Sequence, residues 1–319
     1  MEPTLTTTTS LKGFRLDAEL KDVPVAFVNA LRRIALSEIP TVVMTNIQIL
    51  DNTTQLTHEM IRHRVEMMPI NVRPEEGDVI RDTKIEVRYL PGATEPREVT
   101  SNDFVVSGPR NDVILVDRDS GDPLHFMVLN PGESLHIKAT LAVDTEWASQ
   151  VCVSTFKNHI DPGRAKADRD SYTLGEGTDP RVFDNFYVQR SFSVDEKGRP
   201  NHFDLTIESV GTMQAKDILR KALEVLKNKV IEWAKNPILR ESDGFFRIET
   251  QTEGHTVGNL VQYLIYEGGL TEYVSYHIEH PLVPTMIVRF QTKTVQPEAV
   301  VDKCREQAVA LCESILKSV

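Results

Sequence analysis

The sequence predicts an α+β protein in which a helix, a set of strands and a long closing helix occur twice. Two long segments, one around 213–235 and one beginning at Pro297, repeat apolar residues at alternating steps of three and four. That spacing is typical of helices that bury one stripe against a partner helix. Between the helical segments, short runs alternate apolar and polar residues and are separated by Pro and Gly, as strands and turns are.

The first predicted helix begins near Pro24, which is tolerated in a first turn, and ends before Pro40. Asp22 is suited to cap it. Its apolar face carries three residues at helical spacing: Phe27, Leu31 and Ile34. Polar residues three and four apart follow another face: Asn29, Arg32 and Arg33. One face is thus predicted to pack on a core and the other to bind a partner.

The middle of the chain is predicted to be rich in strands. Residues 41–50 alternate as a strand does, and residues 58–66 return to a helical, Arg-rich pattern. Three further strands are predicted after it: 83–90, 112–116 and 135–143. The polar segment 161–181 lacks sustained periodicity and is predicted to be a long surface loop.

The last third carries both apolar stripes. A strand at 201–210 leads into the first long helix, whose stripe consists of Leu219, Leu223, Leu226, Val230 and Trp233. A strand at 245–251 precedes a helix that Thr256 is suited to cap, and two strands with Pro281 and Pro284 in their turn follow. The closing helix carries the second stripe: Val301, Cys304, Ala308, Leu311 and Ile315. We expect the two stripes to pair within one chain, so that the protein is not a homodimer.

Composition excludes several classes of protein. The 319 residues carry a formal net charge of -11, so direct nucleic-acid contact is expected to be small, because Lys and Arg supply most non-specific affinity for phosphate. Three cysteines without CxxC spacing favour a reducing, intracellular location over a disulfide framework. The sequence predicts no signal peptide and no membrane span.

A hydrolytic metalloenzyme is the first alternative. Its metal-binding helix needs histidines four residues apart, whereas His58 and His63 are five apart and Arg62 occupies the required position. His255, His277 and His280 are more typical of capping, turn and strand residues. No glycine-rich phosphate loop and no GxSxG motif is present, so we expect no catalytic residues, no cofactor and no metal.

Two segments carry a family resemblance. NALRRIALSEIPT, at 29–41, and HEMIRHRVEMMPI, at 58–70, resemble the signature of the alpha-like assembly subunit of multisubunit DNA-dependent RNA polymerases, in its third-largest-subunit form. The segment from Glu253 to Thr292 resembles the small eleventh-subunit type of partner, through its HT-x-GN helix start and its HPL turn. In most such polymerases the two are separate proteins, and here they are similar to a fusion, which favours an unusual lineage such as a large DNA virus.

The resemblance implies a domain plan. Residues 1–46 and 186–240 form a discontinuous alpha-like dimerisation domain, residues 47–185 form an inserted β-rich domain, and residues 241–319 form the second dimerisation domain. Asn29 corresponds to Asn259, and the Arg32–Arg33 pair corresponds to Gln262 and Tyr263. Some relatives carry a cysteine-bound metal centre in the insert, but Cys152 is the only cysteine there and cannot complete a four-ligand site.

The resemblance also implies a function, that of a non-catalytic assembly platform that binds the two large catalytic subunits. The residues expected to face the second-largest subunit are Asn29, Arg32, Arg33, Arg62 and Arg64. The residues expected to face the largest subunit are His255, Thr256 and Asn259, within a helix that reaches Tyr266. Small zinc-binding subunits are further expected partners, and the location is the nucleus or cytoplasm, or a virion if the chain is viral. The alternative is a stand-alone nucleic-acid-binding or transcription-regulatory module.

Overall fold

The computed structural model describes residues 3–92, 94–145, 151–173, 179–280 and 282–319, which form two compact units. Unit one comprises Met1–Ile34, Val153–Ile207 and Ala215–Val319. Unit two comprises Ala35–Cys152 and Glu208–Gln214. Among the residues described, no helix is both long and apolar enough to cross a membrane.

The fold contains helices and sheets, as predicted for an α+β protein. The helices are α1 (Val25–Ser37), α2 (His58–Glu66), α3 (Gly77–Asp82), α4 (Pro162–Thr173), α5 (Pro180–Val182), α6 (Ala215–Trp233), α7 (His255–Gly268) and α8 (Pro297–Leu316). The strands are β1 (Thr4–Ser10), β2 (Arg15–Lys21), β3 (Thr41–Asn52), β4 (Lys84–Tyr89), β5 (Arg97–Thr100), β6 (Val105–Ser107), β7 (His125–Leu129), β8 (Leu135–Asp144), β9 (Val151–Asn158), β10 (His202–Ser209), β11 (Ile238–Arg240), β12 (Phe245–Thr250), β13 (Tyr273–His280) and β14 (Val283–Gln291).

Unit one contains two four-stranded sheets, with strand orders β1-β2-β10-β9 and β11-β12-β14-β13. Strands β1 and β2 form an antiparallel hairpin in which Thr4 pairs with Lys21 and Ser10 with Arg15. Strand β14 lies antiparallel to both β12 and β13. The helices α6, α7 and α8 pack on one another, and α7 also packs on β13 and β14. Every second residue of β2 and β10 is buried. This two-residue repeat is typical of a strand that packs one face against a core.

Unit two is built on the sheet β3-β8-β4-β6, with β5 and β7 paired separately. Helix α2 packs on β3, and its buried residues Ile61 and Val65 join the same apolar cluster as residues of β4 and β8. Phe104 and Phe126 meet edge to face in that cluster, with ring centroids 5.1 Å apart. Unit two therefore has a hydrophobic core of its own.

The boundaries of the units differ from the predicted domain plan. Strand β3 begins at Thr41 and pairs with β8 along most of its length. Residues 35–46, which were predicted to belong to the first dimerisation domain, lie in unit two. Residues 153–185, predicted to belong to the insert, lie in unit one because β9 joins the β1-β2-β10 sheet. Arg118 donates to the Ser209 carbonyl oxygen at 2.7 Å and holds the short segment 208–214 in unit two. The second predicted dimerisation domain falls wholly in unit one, together with residues 1–34, 186–207 and 215–240 of the first.

Two local predictions are wrong. The segment 161–181 was predicted to be a loop, but residues 162–173 form α4, which is polar all round and has no buried residue among its members. A helix of that kind carries no apolar period for sequence analysis to detect. The predicted strand at 112–116 is only an isolated bridge between Ile70 and Ile114. Residues 174–178 of the predicted loop and Pro281 of the HPL turn lie outside the described residues, whereas Pro284 lies inside β14.

Gly258 shows how closely α7 approaches its sheet. A Cβ atom at this position would lie 2.5 Å from Tyr276 Cδ2 and 2.7 Å from Met286 Sδ, closer than van der Waals contact allows. We expect Gly258→Ala to lower the free energy of unfolding by about 1–3 kcal/mol in a urea titration, because overpacking outweighs the better helix propensity of alanine. Gly268→Ala, whose Cβ would come no nearer than 3.8 Å to Lys303, is the matched control and should be neutral or stabilising. Equal effects at the two positions would contradict this account.

Candidate pairing and docking surfaces

The two predicted stripes lie on α6 and α8, which pack against each other within unit one. All five stripe residues of α6 are at most 1% exposed: Leu219, Leu223, Leu226, Val230 and Trp233. Four of the five on α8 are also buried: Val301, Cys304, Ala308 and Ile315. The fold therefore buries both stripes in the unit where the two long helices meet.

Leu311 is the exception on α8. It is half-buried, and Cys312 takes the buried position instead, so the stripe runs from residue 304 to 308 to 312 in steps of four. A straight α-helix has 3.6 residues per turn, whereas alternating steps of three and four repeat every 3.5 residues. Residues placed at those steps therefore move gradually off the buried face over several turns. Burial raises the pKa of the Cys304 and Cys312 thiols to about 12, which keeps them protonated and apolar.

Ion pairs join residues before and after the segment that connects α6 to β12. Lys227 Nζ lies 3.6 Å from Glu313 Oε1, and Lys229 Nζ lies 3.0 Å from Glu253 Oε2. The Glu253 side chain is only 8% exposed, so its attraction to Lys229 is weakly screened by solvent. One ion pair thus joins α6 to α8, and the other joins α6 to the residues that precede α7.

A second charged cluster surrounds Glu267 near the end of α7. Its carboxylate accepts from Arg199 Nη1 at 2.6 Å and from Lys197 Nζ at 2.8 Å. The Arg199 guanidinium also lies 5.4 Å from the centroid of the Tyr263 ring and bonds Asp195. The hydrogen bond from Arg199 holds the pKa of Glu267 below its ordinary value of 4.5, and the one from Lys197 adds to it. This cluster was not predicted from the sequence, because Glu267 lies 68–70 residues from Arg199 and Lys197 and no local pattern links them.

The polar face of α1 divides into two kinds of contact. Arg32 donates through Nε and Nη2 to Asn29 Oδ1, at 3.1 and 3.0 Å, and both side chains are half-buried. Arg33 instead donates through Nε to Thr256 Oγ1 at 2.8 Å, which links α1 to the start of α7. Arg32 and Asn29 thus form a local pair on α1. Arg33 instead takes part in a contact between α1 and α7, which belong to the first and second predicted dimerisation domains.

Thr256 does not cap α7, contrary to the sequence-based prediction. The helix begins at His255 with Gly254 as its N-cap residue, so Thr256 lies inside the first turn and is 8% exposed. Its hydroxyl is the acceptor for Arg33. Glycine is an accepted N-cap residue, and α7 begins here without a side-chain capping hydrogen bond.

The remaining residues predicted on α7 lie near its start. His255 is exposed, and its ring centroid lies 5.9 Å from that of Tyr276 in an edge-to-face arrangement. Asn259 is half-buried. Gln262, at the position predicted to correspond to Arg32, accepts from the Tyr276 backbone N–H at 3.0 Å and so ties α7 to β13. The second copy therefore uses a neutral amide for packing where the first copy carries an arginine.

Arg62 and Arg64 lie on α2 in unit two, and both are exposed. Arg64 Nη1 donates to the Phe126 carbonyl oxygen, which fixes its guanidinium beside β7. Thr57 caps α2 by accepting from the Met60 backbone N–H. The basic residues predicted for docking are thus distributed over both compact units.

Comparison with known proteins identifies the family. Residues 18–230 match the family model described as the RNA polymerase Rpb3/Rpb11 dimerisation domain. The chain belongs to that family. Residues 246–318 match a second model of the same description, so two Rpb3/Rpb11 dimerisation domains occur in one chain. The two matches correspond to the two halves whose closing helices, α6 and α8, pack together.

Relatives of the chain are similar at low identity over most of their length. The subunit Rpo3 of DNA-directed RNA polymerase from Aeropyrum pernix is 26% identical over 269 residues, covering 70% of this chain and 92% of the relative. The subunit RPAC1 of RNA polymerases I and III from Saccharomyces cerevisiae is 23% identical over 286 residues, covering 71% and 85%. Rpo3 from Thermococcus kodakarensis is 26% identical over 228 residues, covering 65% and 87%.

Proposed function

We propose that the chain is the alpha-like assembly subunit of a DNA-directed RNA polymerase and that it supplies both dimerisation halves itself. The observation that carries the proposal is that two family matches occur in one chain and that the helices closing the two matched regions, α6 and α8, pack on each other. Its relatives are named as subunits of such polymerases. The role is structural and contributes no catalytic residue. A subunit of this kind acts where transcription takes place, in the nucleus or the cytoplasm.

In this function the chain nucleates the binding of the two large catalytic subunits. The half-buried Arg32, oriented by Asn29, and the exposed Arg62 and Arg64 would bind the second-largest subunit, since arginine can donate two parallel hydrogen bonds to a carboxylate. His255 and Asn259, near the start of α7, would face the largest subunit. Arg33 and Thr256 form a hydrogen bond with each other between α1 and α7. Their main role would be to join the two dimerisation halves, and docking would be a secondary role. Small zinc-binding polymerase subunits would be further neighbours.

Purification of the tagged chain from its own host tests the proposed function. We expect the two large subunits to be recovered in equal amounts with the chain after washing at high salt, and the purified complex to extend an RNA primer on a DNA template. The isolated chain should not shift DNA or RNA in a gel, because its formal net charge is -11. A chain that is recovered alone and binds nucleic acid by itself would favour the alternative, a stand-alone nucleic-acid-binding module.

A further inference from the structure

Three side chains of types that bind transition metals meet at one place in unit one. Glu19 lies on β2, His202 begins β10, and His159 follows β9 directly. One ligand atom from each lies within 4.8 Å of the ligand atoms of the other two. None of the three contributes to the pairing of α6 with α8 or to the polar face of α1.

The backbone brings the two histidines together. Strands β9 and β10 are neighbours in their sheet, and the His159 backbone N–H donates to the His202 carbonyl oxygen at 2.9 Å. The two imidazole rings stack with centroids 4.0 Å apart and an angle of 18° between their planes. His202 Nε2 lies 2.8 Å from Glu19 Oε1 on the adjacent strand β2. The position of each ring is therefore set by the sheet.

A second carboxylate orients the outer histidine. His159 Nδ1 lies 2.7 Å from Asp204 Oδ1, and the carboxylate is the acceptor when Nδ1 carries the proton. That tautomer leaves the lone pair of His159 Nε2 available to a ligand. Histidines that bind metals commonly donate their other ring N–H to a carboxylate in this way.

Exposure differs along the cluster in a way that suits a site with one open side. The side chain of His202 is 10% exposed, that of His159 29% and that of Glu19 45%. The inner histidine is fixed, while the outer glutamate has room to rotate toward an incoming ion. Tetrahedral ligands of zinc lie roughly 3.4 Å apart, given bonds of about 2.1 Å. The stacked rings hold their lone pairs in nearly parallel planes, so one imidazole must turn for the three ligand atoms to converge on one ion.

We propose that Glu19, His159 and His202 form a binding site for a divalent transition-metal ion, with Zn²⁺ as the best fit, and that Asp204 positions His159. Two imidazole nitrogens and one carboxylate oxygen are ligands that zinc accepts, with water in the fourth position. The ion takes the place of the proton shared by His202 and Glu19, and it links β2, β10 and the end of β9. The proposal departs from the sequence-based expectation of no metal, because the ligands come from three separate segments that no motif spans.

Zinc titration of the full chain after chelator washing tests the site. We expect wild type to bind one equivalent of Zn²⁺ in competition with a chromophoric chelator, and Co²⁺ to give the visible absorption of a tetrahedral site. Glu19→Gln and His159→Gln should abolish this binding, and Asp204→Asn should weaken it by about 10- to 100-fold, as loss of an orienting partner does. Glutamine at position 19 keeps a hydrogen-bonding group for His202, so the fold should persist, and the circular dichroism of each metal-free variant checks that it does.

His136→Gln is the matched control. His136 also lies on a sheet with Nε2 close to a glutamate, 2.6 Å from Glu86 Oε1, but it belongs to no group of three metal-binding side chains among the described residues. Its variant should bind zinc as wild type does. The proposal is overturned if wild type shows no saturable binding, or if folded Glu19→Gln and His159→Gln variants retain it. In either case the cluster would be a hydrogen-bonded link between strands.

Discussion

A chain carrying Arg32→Glu is expected to purify without the large polymerase subunits while it remains folded. Arg32 donates two of its five N–H groups to Asn29 Oδ1, which fixes the plane of the guanidinium before a partner binds. Removing one member of a buried interfacial charge pair costs about 2–5 kcal/mol, and reversing its sign costs more. A loss of that size lowers affinity by about 30-fold to several thousandfold.

Arg220→Glu provides the control for this experiment. Arg220 lies on α6, and its guanidinium bonds Asp217 three residues earlier, at 2.6 Å, as Arg32 bonds Asn29 three residues earlier. The two variants make the same change of charge on a helix, and only Arg32 belongs to the proposed docking surface. Arg220 bonds a carboxylate and Arg32 a neutral amide, so charge reversal at Arg220 also places two like charges three residues apart. Co-purification is measured for both, together with the melting temperature of each isolated chain. Normal assembly of the Arg32→Glu variant would refute the docking role.

Addition of Arg33→Glu should deepen the loss, but it has a second effect inside the chain. Arg33 Nε donates to Thr256 Oγ1, so the substitution removes a contact between α1 and α7. The threonine hydroxyl can turn and donate to the new carboxylate, which limits the cost to the fold. The single Arg32→Glu variant is therefore the cleaner test of docking, and the double variant tests docking and pairing together.

The long helices α1, α6, α7 and α8 were predictable from sequence because each carries apolar residues at helical spacing over several turns. Pro297 marks the start of α8, and Pro24 and Pro40 bracket α1, as the backbone restrictions of proline require. Helix α4 was missed since it is polar all round, and a helix without an apolar stripe resembles a loop in sequence. The buried face of α8 carries Cys312 rather than the predicted Leu311. This was missed because the spacing of apolar residues does not distinguish two neighbouring positions near the end of a long helix.

The hydrogen bond between two candidate docking residues was predictable from local spacing, whereas the contacts that join distant segments were not. Asn29 and Arg32 lie three residues apart on one helix, and a side-chain hydrogen bond follows directly from that spacing. Thr256 lies 223 residues from Arg33, and only the packing of α7 near α1 explains their bond. The boundaries of the units depended on strand pairing between β3 and β8, which are far apart in the chain. The pairing of strands that are distant in the chain is the part of the fold that could not be predicted from one sequence.

Cleavage of the linker between the two halves is expected to leave them associated. The segment that connects α6 to β12 contains β11, which pairs with β12 through Ile238 and Ile248, so a protease site should be inserted between Pro237 and Ile238. That position leaves β11 on the second piece and severs only the segment that follows α6. We expect the two pieces to travel together at the mass of the intact monomer in light scattering at micromolar concentration.

The physical reason is the apolar area that α6 and α8 bury. Each fully buried leucine of α6 contributes about 1.5–3 kcal/mol, whereas association of separate pieces costs about 4–15 kcal/mol in lost freedom. Leu223 and Leu226 are both 0% exposed, so Leu226→Asp in the cleaved chain should separate the pieces, because it places an unpaired charge among apolar side chains. Leu239→Asp, at a 39% exposed position on β11, introduces the same charge and should leave the complex intact.

The cluster around Glu267 adds a pH dependence to the cleaved complex. The pKa of Glu267 is lowered in the folded state by its bond with Arg199, so its stabilising contribution is complete above the ordinary value of 4.5 and is lost as pH falls through the lower folded value. Glu267→Gln should weaken association near neutral pH on the order of tenfold, the equivalent of one charge-assisted hydrogen bond, and remove this cluster's part of the acid sensitivity. Separation of the unmodified pieces at neutral pH, or an uncut chain with the mass of a dimer, would show that the two halves do not pair within one chain.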